Sequence, residues 1–428
     1  MRYAPFLLLL TLTPIVVTRA QTTTVIQCKQ IIDGKADKMT AHSVVVIKDD
    51  RIVALGGREV IPSGATIINL ANYTLMPGMI DLHLHPLADG DNGYQIKHLE
   101  NSSASKALTG LKNMQAVLHE GWTAVRIPGD IDIGYAHLEV RNAVNKAMFI
   151  GPHIYGAGHW ISNTGGGGDL NFFSYEQDGV KVDGLIVDGA DEMRKAIRKE
   201  IKYGSDWIKL LVSGAYMTAG DNPRNVHFTK DELSAALDEA TKRDVPVMAH
   251  AHSAEAIKMS VKAGARTIEH GSFLDDEGIE LLKSHGTYLV PTRSIFTWMM
   301  EKHPDSKDHE KAVSIMKENH VQTEIMLAKA IKAGVKVAVG TDLTGNDPEY
   351  HVREFEELVK AGMTNMQAIK AGTSLAAEVL GEQKEFGTIE VGKLADLIAI
   401  DGDPSVDIKA LKKVKFVMIG GKVVRNDK

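Results

Sequence analysis

Through the middle of the chain one pattern of apolar and polar positions keeps returning. An amphipathic helix closes on a glycine, and a short apolar run follows within a few residues. Leu118-His119-Glu120-Gly121 leads into Thr123-Ala124-Val125-Arg126, and Ile201-Lys202-Tyr203-Gly204 into Trp207-Ile208-Lys209-Leu210. The same unit recurs at Val261-Lys262-Ala263-Gly264, at Lys283-Ser284-His285-Gly286 and at Ile331-Lys332-Ala333-Gly334. Glycine supplies the left-handed backbone that ends a helix, and a continuous apolar run is how a buried parallel strand reads. Thr229 with Glu232, and Thr364 with Gln367, have the spacing of capping boxes that open helices. Both chain ends read differently, as short β-rich runs. These are Thr24–Ile26, Ser43–Ile47, Arg51–Leu55 and Thr66–Ile68 near the start, and Ala395–Ile400 and Val414–Ile419 near the finish.

Alternation of helix and strand specifies a parallel sheet covered by helices. The predicted fold class is α/β: a (β/α)8 TIM barrel over residues 78–385, with a small β-sandwich built from both chain ends, 21–77 and 386–428. A doubly wound open sheet is the other arrangement such a pattern allows, but no GxGxxG turn follows the first strand. Residues 1–20 read as a signal peptide: Arg2, an apolar stretch from Phe6 to Val17, then Thr18-Arg19-Ala20 before Gln21. The apolar stretch falls short of the ~18 residues of a spanning helix, so the expected location is periplasmic or secreted, with no membrane association after cleavage.

Composition narrows the chemistry. A net charge of −6 gives no basic surface for a nucleic-acid partner. With Cys28 as the lone cysteine, a thiolate metal cluster and an intrachain disulfide are both excluded. Any transition-metal site must come from the 17 histidines, from carboxylates and from lysine. Oligomeric state is not fixed by these features, and a homo-oligomer is compatible with them.

The candidate chemistry lies at the ends of the predicted strands. In Asp81-Leu82-His83-Leu84-His85, strand alternation puts His83 and His85 on one face. Lys209 sits inside the apolar run Trp207–Val212, where an ammonium is costly to bury and needs a reason. His250 and His252 end one strand, His270 the next, and Asp342 follows Val337–Gly340. Each alone is compatible with a core position. Together they stand where a barrel places catalytic groups, at the C-terminal ends of its strands. Imidazoles with a carboxylate suit zinc or a similar divalent ion, and the set is too rich for one tetrahedral ion. We therefore expect two divalent metal ions: His83, His85 and Asp342 on one, His250 and His270 on the other. Carbamylated Lys209 is expected to bridge them.

These residues resemble the ligand pattern of the binuclear amidohydrolase superfamily. The resemblance extends to Thr74–Asp81 ahead of the HxH and to Gly387–Leu397 at the return to the terminal β region. Val247–His252 and Thr267–His270 are most similar to the imidazolonepropionase-like and Xaa-Pro dipeptidase-like branch, which includes ochratoxin-hydrolysing amidohydrolases and carboxypeptidases. The resemblance implies hydrolysis of a small-molecule amide or peptide, with Asp342 as general acid/base and His252 contacting substrate. Tyr216, Arg293, His159 and Arg126 are further substrate-side candidates, each equally readable as an ordinary structural residue. Phe296, Trp298, Met299 and Met300 are expected in a loop, either walling an apolar pocket or packing on the barrel. One departure stands out: relatives carry TGGHGD where this chain has Thr164-Gly165-Gly166-Gly167-Gly168-Asp169, so Gly167 replaces a histidine. Two rival readings stay open. One is a metal-dependent deaminase, kept alive by the His252–Glu255 spacing, or a cyclic-amide hydrolase, and the other a catalytically inactive binding protein on the same scaffold.

Overall fold

The computed structural model describes residues 23–88, 99–177, 179–302 and 310–427. The expected signal peptide lies outside the described residues. The chain opens with β1 (Thr23–Ile31), β2 (Val44–Lys48), β3 (Arg51–Gly56) and β4 (Thr66–Pro77). The middle strands are β5 (Met79–Asp81), β6 (Leu84–His85), β7 (Trp122–Pro128), β8 (His153–Ser162), β9 (Gly184–Ile186) and β10 (Trp207–Leu211). They continue as β11 (Val247–Ala251), β12 (Thr267–His270), β13 (Tyr288–Val290) and β14 (Leu343–Thr344). The chain finishes with β15 (Leu397–Ile400), β16 (Val414–Ile419) and β17 (Lys422–Asn426).

Both ends join one seven-stranded sheet, in the order β17-β16-β15-β4-β1-β2-β3. Its alternating apolar positions bury Ile26, Val45, Leu75, Leu397 and Phe416 in one cluster. The middle forms a parallel half-barrel in a mixed α/β fold, ordered β13-β12-β11-β10-β8-β7-β5, with β9 alongside β8. Between its two edge strands runs the segment that carries Asp342. Ala338 N donates to Leu289 O, while Leu82 N donates to Val339 O and Asp342 N to His83 O. That segment was expected to be a regular strand, but it divides its hydrogen bonds between two neighbours and ladders only at β14, which pairs with β6. The helix ends follow their sequence signals. Gly264 and Gly286 are left-handed C-caps, and both predicted capping boxes form. Among the described residues, no helix is long and apolar enough to cross a membrane.

Gly78 is the hinge between the two sheets. Its N–H donates to Asp396 O of the terminal sheet, and a Cβ there would overlap the buried hydroxyl and Cβ of Thr123 in the half-barrel. Gly78→Ala is therefore expected to cost about 1–3 kcal/mol through overpacking. A lowered urea midpoint with an unchanged m-value would register it.

Candidate metal centre

Six of the residues singled out in the sequence converge with His252 at one end of the half-barrel. β10 brings Lys209, β11 brings His250 and the adjoining His252, and β12 ends on His270. β6 and the bend before it bring His85 and His83. The expected single strand through His83 and His85 is interrupted there, yet the two rings still approach at 5.4 Å between centroids. All these side chains are buried. Asp342 lies among them, its Oδ1 3.3 Å from His83 Nε2 and 3.2 Å from His85 Nε2, and its Oδ2 3.7 Å from His270 Nδ1. Lys209 Nζ is 3.5 Å from His83 Nε2.

The side chains sort into two groups whose ligand atoms lie within 4.8 Å of one another: His83, His85 and Asp342, and His250, His252 and His270. His252 therefore joins the second group rather than standing apart from it. Its ring stacks on His270 at 4.7 Å, and its Nδ1 is held by Ser272 Oγ at 2.8 Å. His270 Nδ1 is held likewise by Thr292 Oγ1 at 2.8 Å. The backbone is strained at the same place, since His270, Thr292 and Asp342 all take positive φ, of 73°, 49° and 60°. Such conformations persist where the surrounding structure imposes them, and they cluster at functional sites.

Electrostatics decides whether these groups fit metal ions. Burial drives His83, His250 and His270 well below the usual imidazole range and His252 to about 3, so these rings are neutral and offer lone pairs. Burial opposes a charge on His85 too, but the carboxylates of Asp130 and Asp342 outweigh it and raise that ring to about 9. Burial lowers the Lys209 amine to about 8, with Glu269 and Asp342 partly offsetting. Burial would raise Asp342, yet His83, His85 and Lys209 hold it below the ordinary carboxylate range. Neutral imidazole nitrogens crowded around a carboxylate repel one another unless a cation lies between them. The donor set fits divalent ions.

Other expectations fare differently. Tyr216 reaches the centre, packing edge-on against His252 at 4.6 Å and against Phe296 at 5.5 Å. Arg293 is buried and shares a small cavity with His270, and its Nη1 makes no hydrogen bond. His159 stays away. Its two ring nitrogens are engaged by Glu200 Oε1 and the Ile133 carbonyl. Arg126 is fully buried and paired with Glu269 at 2.8 Å. Phe296, Trp298 and Met299 lie on the helix Arg293–Lys302, not in a loop, because apolar spacing there matches a helical face. At Gly167 a Cβ would sit 3.1 Å from Ala215 Cβ and 3.2 Å from Leu211 Cδ1, so the loop packs where a histidine would stand in relatives. Glu255 is exposed at the start of the helix Ala254–Ala263, which removes the basis for a His252–Glu255 deaminase pair.

Sequence reasoning missed the groups behind the ligands. Glu269 Oε2 lies 2.7 Å from His83 Nδ1, and Asp130 Oδ1 lies 3.7 Å from His85 Nδ1. The signal was present. Glu269 and Arg126 are opposite charges inside two apolar strands, an expense of the same kind that drew attention to Lys209.

Comparison with known proteins agrees with this geometry. The amidohydrolase family profile matches residues 74–424. Ochratoxinase of Aspergillus niger is 30% identical, over 94% of this chain and 86% of its own length. Imidazolonepropionase of Flavobacterium johnsoniae is 21% identical over 83% of this chain and 84% of its own. A crystal structure of a Xaa-Pro dipeptidase with methionine in the active site superposes with a TM-score of 0.87 at 32% identity, covering 95% of this chain and 100% of that one. With its ligand-rich strand ends and this extent of similarity, the chain belongs to the amidohydrolase family, hydrolases acting on carbon–nitrogen bonds.

Proposed function

We propose that this protein hydrolyses an amide or peptide bond in a small substrate that carries a free carboxylate, such as an N-acyl amino acid, a dipeptide or an ochratoxin-like amide. One observation carries the reading: two histidine-rich groups meet across Lys209 and Asp342 in a buried site. The names of the relatives, ochratoxinase and Xaa-Pro dipeptidase, point to the same bond type. In this reading the parallel half-barrel belongs to a closed (β/α)8 barrel, the terminal sheet is folded as a β-sandwich, and the mature enzyme is exported.

His83, His85 and Asp342 would hold one divalent ion, and His250 and His270 the other, leaving His252 of the second group for the substrate. When bound, such ions supply a hydroxide nucleophile near neutral pH and polarise a carbonyl. The chain's own residues do the rest. Lys209, whose amine is neutral above about pH 8, would react with carbon dioxide to give a carbamate and a proton, supplying an anion that both ions could use. Asp342 takes the proton from the attacking water and returns it to the leaving nitrogen. His252, resting on Tyr216, faces the substrate carbonyl, and both can donate to the oxyanion that develops there. Arg293, with one guanidinium nitrogen free, is the cation for the substrate carboxylate.

Zinc-loaded protein offered N-acyl amino acids and dipeptides of varied C-terminal residue is expected to release the free C-terminal amino acid. Ammonia release without an acid product would instead indicate deamination. Lys209→Ala should lose activity and one ion per chain, with partial recovery in formate or acetate; unchanged turnover would remove the bridging role. Arg293→Met should lower kcat/KM by roughly 10–100-fold for free-acid substrates and leave C-terminally amidated ones alone. Without metal or carbamate, Lys209 weakens the fold at neutral pH, because the unfolded chain, at the ordinary lysine value of 10.5, holds the proton more tightly than the folded one, at about 8. That deficit, of order 3 kcal/mol, is full below about pH 8 and disappears as pH rises to 10.5. Metal-free Lys209→Met should therefore be the more stable protein at pH 7, with the gap closing towards pH 10.

A further inference from the structure

A buried ion pair stands directly behind the first ligand group. Arg126, on β7, and Glu269, on β12, are both fully buried, and a Glu269 oxygen accepts from Arg126 Nη2 at 2.8 Å. Thr267 also donates its hydroxyl to that oxygen. Arg126 is fixed in turn: Nε donates to Leu82 O at 2.6 Å, Nη1 to Thr267 Oγ1 at 3.2 Å, and its guanidinium lies 4.5 Å from the Trp207 ring centre. The other Glu269 oxygen, Oε2, is 2.7 Å from His83 Nδ1. Stability alone does not account for such a pair, since apolar replacements of buried ion pairs are often neutral or stabilising. A specific task does.

We infer that the Arg126–Glu269 pair is the positioning device of the metal centre, fixing His83 as its Nδ1–H tautomer so that Nε2 presents a lone pair to the first ligand group. The argument is one of donors and acceptors. A neutral imidazole carries one N–H, and an ionised carboxylate can only accept. Glu269 already takes protons from Arg126 and Thr267 on one oxygen, so the other receives the proton on His83 Nδ1. Nε2 is then left as an acceptor, facing Asp342 and Lys209. In the second group the backbone takes this role at His250, whose Nε2 lies 3.3 Å from the Gly214 carbonyl oxygen, an acceptor only. His252 and His270 lean on the hydroxyls of Ser272 and Thr292, which can donate or accept and dictate no tautomer. Arg126 and Glu269 touch no substrate. They act through His83, and their effect should fall on one ligand group and not the other.

This inference rests on the metal-dependent reading above, and its test separates the two. Nitrogen-15 histidine spectra of the metal-free wild-type protein, with His83 assigned by its loss in His83→Asn, should show the proton on Nδ1; a proton on Nε2 would overturn the inference whatever the metal content. Titration of zinc into metal-free protein against a chromophoric chelator should then show Glu269→Gln weakening one ion about 10–100-fold while sparing the other. With its oxygen held by Arg126, the glutamine amide turns its NH2 to His83 and forces the proton onto Nε2. Glu269→Asp, which keeps the acceptor, should recover part of the lost affinity. A folded Glu269→Gln protein, judged by near-UV circular dichroism, that binds both ions as wild type does would also overturn the inference. If Glu269→Gln fails to fold, the wild-type spectrum decides. A wild-type chain that takes up no zinc yet shows His83 as Nδ1–H would defeat the metal reading and leave the tautomer assignment standing.

Discussion

The contact between Asp342 and the imidazole nitrogens is the interaction around which the molecule is arranged. A carboxylate held below its ordinary range by His83, His85 and Lys209 sits where water has been largely removed, among rings that burial, except at His85, keeps neutral. Such a collection of lone pairs is repulsive by itself and becomes favourable around cations. The structure spends backbone strain to hold it: Asp342, His270 and Thr292 all occupy the left-handed region without being glycine. The segment leading to Asp342 hydrogen-bonds to both edge strands of the half-barrel instead of extending one ladder, and that division is what brings the carboxylate over the HxH pair.

Behind this centre the two ligand groups are supported by different chemistry. Charged groups, Glu269 and Asp130, stand behind His83 and His85, whereas hydroxyls stand behind His252 and His270. Hydroxyls tolerate either direction of a hydrogen bond and carboxylates do not, so proton placement is fixed at His83 in a way that it is not at His252 and His270.

Much of this was legible in the sequence for a simple reason: buried polar residues in apolar runs are expensive. His83, His85, Lys209, His250, His270 and Asp342 each broke a hydrophobic pattern within a strand or at its end, and the structure brings them together. The same rule applied to Arg126 and Glu269, but their partnership joins β7 to β12 across the sheet, and sequence order gives no hint of that proximity. His159 was considered only as a stand-in for the histidine missing at Gly167, and its engagement by Glu200, from a helix, could not be read from the sequence. Local irregularity was the other blind spot. The bend at Leu82-His83 and the helix Arg293–Lys302 depend on neighbours that no short window contains.

The sheet shared by the two chain ends has a consequence for how the molecule comes into being. β15 lies between β4 and β16, so the long strand that delivers the chain to Gly78 and the ligands has that flank covered only by residues made after every ligand. Until Leu397–Ile400 arrives, that flank is an unsatisfied ribbon open to pairing with other chains. A ribosome stalled short of this segment would release a polypeptide holding every ligand yet prone to clumping, whereas an appendage after β17, the outermost strand, would disturb little.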